Sequence, residues 1–325
     1  MGAEVAWMGW LLRVALGLLV LCGSGAEAQK ALPVGSPWVF AGFKANSEDG
    51  VYFAVSADGY HWKLVNGAKP VVTQTEKGEL MRDPFLQRGP DGKFDMVWTW
   101  GWRDHTIGFS TSDDLVNWTA HRQLAVMANE PAALNVWAPA MYWEAKEKRW
   151  LIFWSSTIPG RSAGEDQGDG GLNHRIYSAT TKDFEAFTPS KIYFDPGYSV
   201  IDATLLATPE NKSAPYHLIF KDERKTPMRK ILQTAEGRAM EGPWGGISVP
   251  LSEAWSEGAA IIRVPEGYLA YYDHYRAPQH YAAIFSPDLK SWTDASAKIE
   301  FPAGMRHGSF LQISKEEYAR LVGMQ

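Results

Sequence analysis

Three carboxylates stand near the start of short apolar runs: Asp83 in MRDPFLQR (81–88), Asp202 in VIDATLLA (200–207) and Glu257 in EGAAIIRV (257–264). A further run, RHGSFLQI (306–313), carries His307 at the comparable place. Asp202 is the most informative, because Val200, Ile201, Ala203, Leu205 and Leu206 around it describe a buried strand. An ionised Asp in such a strand is costly unless it is paired or hydrogen-bonded. Carboxylates that converge do not ionise independently: repulsion and burial raise the pKa of at least one while the others stay charged. A protonated acid facing an ionised base can cleave a glycosidic bond, the acid protonating the leaving oxygen and the base activating water. Taken singly, each group has a plainer reading. Asp83-Pro84 is a common turn, Glu257-Gly258 a loop corner, and Asp202 a carboxylate bonded to backbone. The chemistry depends on whether the fold brings the three together.

An internal repeat supplies the elements to do so. VSADGYHW (55–62) recurs as STSDDLVNW (110–118), TTKDFEAF (180–187) and SPDLKSW (286–292), with a degenerate copy, QTAEGRAMEGPW, at 233–244. Each follows a strand-like run and sets a turn before an aromatic that can fold back: Trp62, Trp118, Phe187, Trp244 and Trp292. The runs that open at Asp83, Ala138, Asp202, Glu257 and His307 are interleaved with them, as are second strands such as KFDMVWTW and YHLIFKD. Only the tail KEEYARLVG (315–323) has helical periodicity. Repeated four-strand units with turn signals and aromatics predict an all-β, five-bladed β-propeller. The last inner strand, near His307, lacks downstream partners, so the region Trp38–Trp62 must close the ring. A long β-sandwich is the alternative architecture. In a propeller the innermost strands line one central channel, which makes Asp83, Asp202, Glu257 and His307 neighbours.

Composition narrows the partners. The chain has 325 residues, a formal net charge of -5 and no basic block, which argues against nucleic acid or anionic membrane. Arg13, the apolar run Val14–Cys22 and the Ala26-Glu27-Ala28 site read as a signal peptide over 1–28, leaving 29–325 as one catalytic domain. That run is too short to span a bilayer. Cys22 also permits a lipoprotein reading, against which Leu21 is bulky. The single cysteine lies in this leader, so the domain is expected to be exported, secreted or periplasmic, without disulfides. A monomer acting on an oligosaccharide or polysaccharide is expected.

The Arg-Asp-Pro of MRDPF, the WAP of VWAPAMYW, the ID of SVIDATLL, the WSEG before a strand and RHGS near the end together resemble family 43 glycoside hydrolases. The resemblance spans nearly all of 29–325. It implies a five-bladed propeller that cleaves arabinofuranosyl, xylosyl or galactosyl linkages of plant-type polysaccharides with inversion, in an exo mode. It implies Asp83 as general base, Glu257 as general acid and Asp202 as the residue that orients the acid and modulates its pKa. No cofactor is required. His307 matches an axial histidine that in many members sits beside a channel Ca2+ or Na+, through water. Ala140 and Ala259 depart from the acidic residue and the proline that many members carry there. Two other classes stay open: a non-catalytic sugar-binding propeller, and a retaining fructan-type hydrolase on a related five-bladed fold.

Further candidates line the same end of the repeat. Arg82, beside the base, can support it or contact substrate hydroxyls. Trp137 opens an inner strand and is a candidate for the substrate pocket. Trp98, Trp100 and Trp102 share one face of FDMVWTWGW, as a sugar platform or as packing between blades. Asp273, His274 and Arg276 follow a second strand and can line the rim. GRSAG (160–164) matches a nucleophile-elbow pattern but lacks the following helix, so that reading is rejected. Glu165, Asp166 and Asp169 read as a solvated insertion rather than a calcium loop, and Asn173, His174 and Arg175 are placed to reach over the pocket.

Overall fold

The computed structural model describes residues 32–46, 49–162, 168–225 and 229–324. The signal-peptide reading of 1–28, and Glu165 and Asp166 of the acidic loop, lie outside them. The strands form five antiparallel sheets. One begins with β1 (Trp38–Lys44), β2 (Gly50–Ser56), β3 (Lys63–Leu64) and β4 (Val72–Thr73). Blade I follows with β5 (Arg82–Arg88), β6 (Phe94–Thr99), β7 (Ile107–Ser112) and β8 (Arg122–Leu124). Blade II holds β9 (Trp137–Glu144), β10 (Arg149–Ser156), β11 (Arg175–Thr181) and β12 (Lys191–Phe194). Blade III holds β13 (Val200–Ala207), β14 (Tyr216–Asp222), β15 (Ile231–Gly237) and β16 (Trp244–Gly245). Blade IV holds β17 (Ser256–Val264), β18 (Gly267–His274), β19 (His280–Ser286) and β20 (Thr293–Asp294). The last strand, β21 (Met305–Gln312), pairs with β1 and completes blade V. The ring is thus closed by the N-terminal strands, with β1 pairing the backbone groups of β21.

The repeated turn is built the same way four times. Ser56, Ser112 and Thr181 accept through their hydroxyls from the N–H three residues on, and Asp58, Asp114, Asp183 and Asp288 each accept from two following N–H groups. The residue after each Asp is left-handed: Gly59, Leu115, Phe184 and Leu289. The degenerate copy lacks the Asp, and there Glu236 and Gly237 remain in β15. The packing lies between blades. Phe40 and Trp62 of blade V meet Tyr271 of blade IV together with Phe301 and Phe310, while Trp98 and Trp100 are buried between blades V and I. Those two tryptophans are therefore packing residues, as the more conservative reading expected. The tail forms α1 (Lys315–Val322), started by a Ser314/Glu317 capping box and tied to blade I by an Arg88–Glu317 ion pair of 2.6 Å.

Candidate active site

Each inner strand begins with a bulge, and the bulge aims the candidate side chains. The ladder slips between Arg82 and Phe85, Trp137 and Ala140, Ile201 and Thr204, and Glu257 and Ala260, and it slips again in β21 opposite Gly42 and Phe43. Asp83, Ala138, Asp202 and Gly258 take left-handed φ values of 51°, 48°, 56° and 60° at these points. Such a conformation costs about 1 kcal/mol or more in a non-glycine residue and concentrates at functional sites. The fivefold equivalence reveals an offset. Asp83, Asp202 and His307 sit on the bulges, whereas Glu257 stands one residue earlier, in register with Arg82, Trp137, Ile201 and Arg306. Gly258 holds the bulge position in blade IV, and a Cβ there would fall 2.3 Å from Cγ of His307. Blade IV therefore leaves its place on the axis to the histidine of blade V.

The structure brings the four expected residues into one connected cluster. His307 Nδ1 lies 3.2 Å from Asp83 Oδ1 and 3.9 Å from Asp202 Oδ2. Asp83 Oδ2 accepts from the Thr99 hydroxyl at 2.8 Å, and the same hydroxyl accepts from the Ala138 N–H at 2.8 Å. Asp202 Oδ2 accepts from the Gly258 N–H at 3.2 Å, next to Glu257. Thr204 donates to the carbonyl of Ala259 at 2.7 Å, so the segment carrying Glu257 is pinned although Ala259 replaces the proline the resemblance led one to expect there. Ala140, the other departure, is buried in β9 opposite Phe153.

The electrostatics separate the carboxyls. Burial works against charge on Asp83, but the His307 cation, Arg82 and the Thr99 hydroxyl override it and hold the carboxyl down at about 2. Burial dominates at Asp202: it outweighs the His307 and Lys221 cations and, with the smaller contributions of the Glu257 and Asp83 charges, pushes the group up to about 7. His307 is also disfavoured by burial, yet the Asp202 and Asp83 carboxylates carry it to about 9. Glu257 is partly buried, which also works against its charge, but Lys221 and then Arg306 keep it below the ordinary glutamate value. Lys221 Nζ is 2.9 Å from Glu257 Oε2, and Arg306 donates to Glu257 Oε1 at 3.1 Å. The carboxyl pushed upward is thus Asp202 rather than Glu257.

The wall beside Asp83 is aromatic and cationic. Arg82 lies over the rings of Phe43 at 4.4 Å and Trp102 at 4.8 Å. Trp102, 48% exposed, meets Trp137 edge-on at 5.8 Å, and Trp137 donates from Nε1 to the Trp102 carbonyl. His174 packs on Trp137 at 5.1 Å and is buried, its two ring nitrogens without a hydrogen-bond partner among the described residues; burial and then the cations of Lys221, Lys230 and Arg175 push it down to about 3. Asn173 and Arg175 do not reach over the pocket: Arg175 is buried, bonded to Asp195, and donates to the Asn173 side chain at 2.7 Å. Of the second rim group, Asp273 is buried and ion-paired with Arg306, and His274, opposite Ser256 in the ladder, stacks on His280 at 4.9 Å. Arg276 lies over Trp255 at 4.1 Å, two residues before Glu257. In the GRSAG stretch, Arg161 pairs with Glu130, and among the described residues only a three-residue 3-10 turn, Asp169–Gly171, stands between it and β11.

Among the described residues no three His, Cys, Asp or Glu side chains are set to hold a metal, and His307 Nδ1 is turned to Asp83. Sequence reasoning passed over Lys221, Arg306 and Thr99. Strand register places all three: Thr99 faces Arg82, Lys221 faces Ile201 and Arg306 faces Phe43, each pair one residue before the bulge residue Asp83, Asp202 or His307.

Five blades closed by the N-terminal strands, with carboxylates on the axial bulges, define a propeller of the glycosidase type. Residues 36–319 match the family described as "Probable glycosyl hydrolase domain", the family 43-related group, and the chain belongs to that family. An α-L-arabinofuranosidase of Bifidobacterium longum is 27% identical over 172 residues, which is 46% of this chain and 16% of that protein. The chain thus spans about a sixth of the length of that curated relative. An endo-1,4-β-xylanase from Bacteroides thetaiotaomicron shares the fold with a TM-score of 0.57 at 13% identity, over 81% of this chain and 94% of that one. A thermostable family 43 glycoside hydrolase does so with a TM-score of 0.51 at 16% identity, over 66% and 71%. No helix among the described residues is long and apolar enough to cross a membrane.

Proposed function

We propose that this protein is an inverting, exo-acting glycosidase that removes arabinofuranosyl, xylosyl or galactosyl units from oligosaccharides or polysaccharides outside the cytoplasm. The observation that carries the reading is the axial cluster in which Asp83, Asp202, Glu257 and His307, from four blades, meet in one network. In this reading Asp83 is the base, kept ionised by His307 and oriented by Thr99. It takes a proton from a water molecule whose oxygen bonds to the anomeric carbon. Glu257 delivers its proton to the glycosidic oxygen as that carbon–oxygen bond breaks. The net change is addition of one water, and both carboxyls return to their starting states by exchange with solvent. Asp202 orients the acid by holding the Gly258 N–H. Arg82, Trp102 and Trp137 form the wall on which a sugar ring stacks. The arabinofuranosidase relative supports the arabinofuranosyl member of this set, and the leader-like residues 1–28 support export. A screen against aryl α-L-arabinofuranosides, β-D-xylosides and β-D-galactosides tests the reading. Release of the aryl alcohol from one of them is expected, while glycan binding with no release from any would favour the sugar-binding propeller.

A further inference from the structure

The five second strands end on equivalent residues: Phe43, Thr99, Ser155, Lys221 and Asp273 stand opposite Arg306, Arg82, Trp137, Ile201 and Glu257. Each reaches forward to the inner strand of the next blade. The Phe43 ring supports Arg82, the Thr99 hydroxyl accepts from the Ala138 N–H, and the Ser155 hydroxyl accepts from the Asp202 N–H at 3.2 Å. Asp273 pairs with Arg306, and Lys221 pairs with Glu257. The position is a fivefold strut, and in blade III the strut is a buried cation. Lys221 is 2% exposed and bridges Glu257 Oε2 at 2.9 Å and Glu223 Oε2 at 3.1 Å, while Glu223 Oε1 meets Lys230 at 2.8 Å. The Tyr275 ring covers the ammonium at 4.5 Å.

We propose that Lys221 is a positioning residue for Glu257: it fixes the carboxyl against blade III and stabilises its ionised form, so that Glu257 carries the proton it must donate only at acid pH. The proposal rests on Glu257 being the acid, and it deepens that reading by assigning the working pH of the site. Every group facing Glu257 enters the balance. Glu223 just beyond β14 and Asp273 from β18 are acidic and oppose its ionisation, Asp202 from β13 joins them only as pH rises through about 7, and Tyr275 is neutral in this range. Lys221 from β14 and Arg306 and His307 from β21 favour ionisation. Lys221 makes the shortest contact to Glu257 of the three cations, and a charge about 3 Å away in a buried site outweighs those acting at longer range.

The test compares wild type with Lys221→Met, Lys221→Arg and Glu223→Gln. The Glu257 carboxyl is followed by 13C NMR titration in the substrate-free protein, and kcat/KM is followed against pH on the aryl glycoside that wild type cleaves. Lys221→Met should raise the titration of Glu257 and move the basic limb of kcat/KM upward together, by about one pH unit or more. Lys221→Arg should restore both. Glu223→Gln removes a like charge and should move both downward, a sign that general loss of structure does not produce. An unmoved Glu257 titration in Lys221→Met, or shifts of the same sign in Lys221→Met and Glu223→Gln, overturns the proposal. Should Lys221→Met not fold, Glu223→Gln alone decides: a downward shift supports, no shift or an upward one overturns. Should wild type cleave no glycoside, the glycosidase reading fails, and the substrate-free titration still decides whether Lys221 holds Glu257 ionised.

Discussion

His307 and Asp83 form an ion pair of 3.2 Å between the last and first complete inner strands, so the ring that β1 and β21 close by hydrogen bonds is also closed by charge on its axis. The pair accounts for how a largely buried carboxylate stays ionised: a cation of its own chain stands beside it, and the Thr99 hydroxyl satisfies its second oxygen.

The pair makes stability depend on pH at both extremes. Asp83 has a depressed pKa, so its contribution is present above the ordinary value near 4 and is lost as pH falls through about 2. His307 has a raised pKa, so its contribution is complete below about 6.5 and is lost as pH rises through about 9. Thermal melts should show a decline across pH 7–9 that is absent in His307→Ala. An identical alkaline decline in that variant would remove His307 as its source.

Asp83→Asn and Glu257→Gln should each lower kcat by about 10²–10⁴-fold while leaving the circular dichroism spectrum unchanged. Both substitutions keep shape and remove only the proton-transfer function. Full turnover in either would falsify the assigned roles.

Asp202→Asn separates function from stability. The raised pKa means that Asp202 stabilises the fold at low pH and loses that contribution as pH climbs from about 4 through about 7. Asparagine can still accept from the Gly258 N–H and carries no charge to bury. The variant should therefore melt at pH 8 no lower than wild type, while kcat falls by about 10²-fold or more. A large drop in its melting temperature at pH 8 would show that the charge itself supports the fold there.

Gly258→Ala should be strongly destabilising for its size. The added Cβ meets His307 Cγ at 2.3 Å, a clash that comes on top of the left-handed backbone cost that Asp83, Ala138 and Asp202 bear at the equivalent bulges. A loss of about 2–4 kcal/mol in urea denaturation is expected. An unchanged midpoint would mean that the axis has room the geometry does not show.

Hydrolysis followed by 1H NMR should show the inverted anomer first, with the other appearing by mutarotation. Initial formation of the retained anomer would instead assign a covalent nucleophile and favour the fructan-type alternative.

Much of this molecule was legible before its fold was known. The fivefold repeat follows from spacing alone, since a Ser/Thr-x-Asp turn and a closing aromatic are local devices that act the same way in any copy. Closure by the N-terminal strands follows as well, because β21 without a partner would leave its backbone groups unsatisfied. That Asp83, Asp202, Glu257 and His307 meet on one axis is a corollary of placing them on inner strands. The one-residue offset of Glu257 was not legible, because a bulge is a property of two paired strands and changes no residue type. Nor was the cationic surround of Glu257, which comes from Lys221 on the preceding blade and Arg306 on the following one. Local sequence dictates turns and strand faces through short-range hydrogen bonds and alternation. Which charge stands 3 Å from which carboxyl depends on contacts between blades, and only the closed ring sets those.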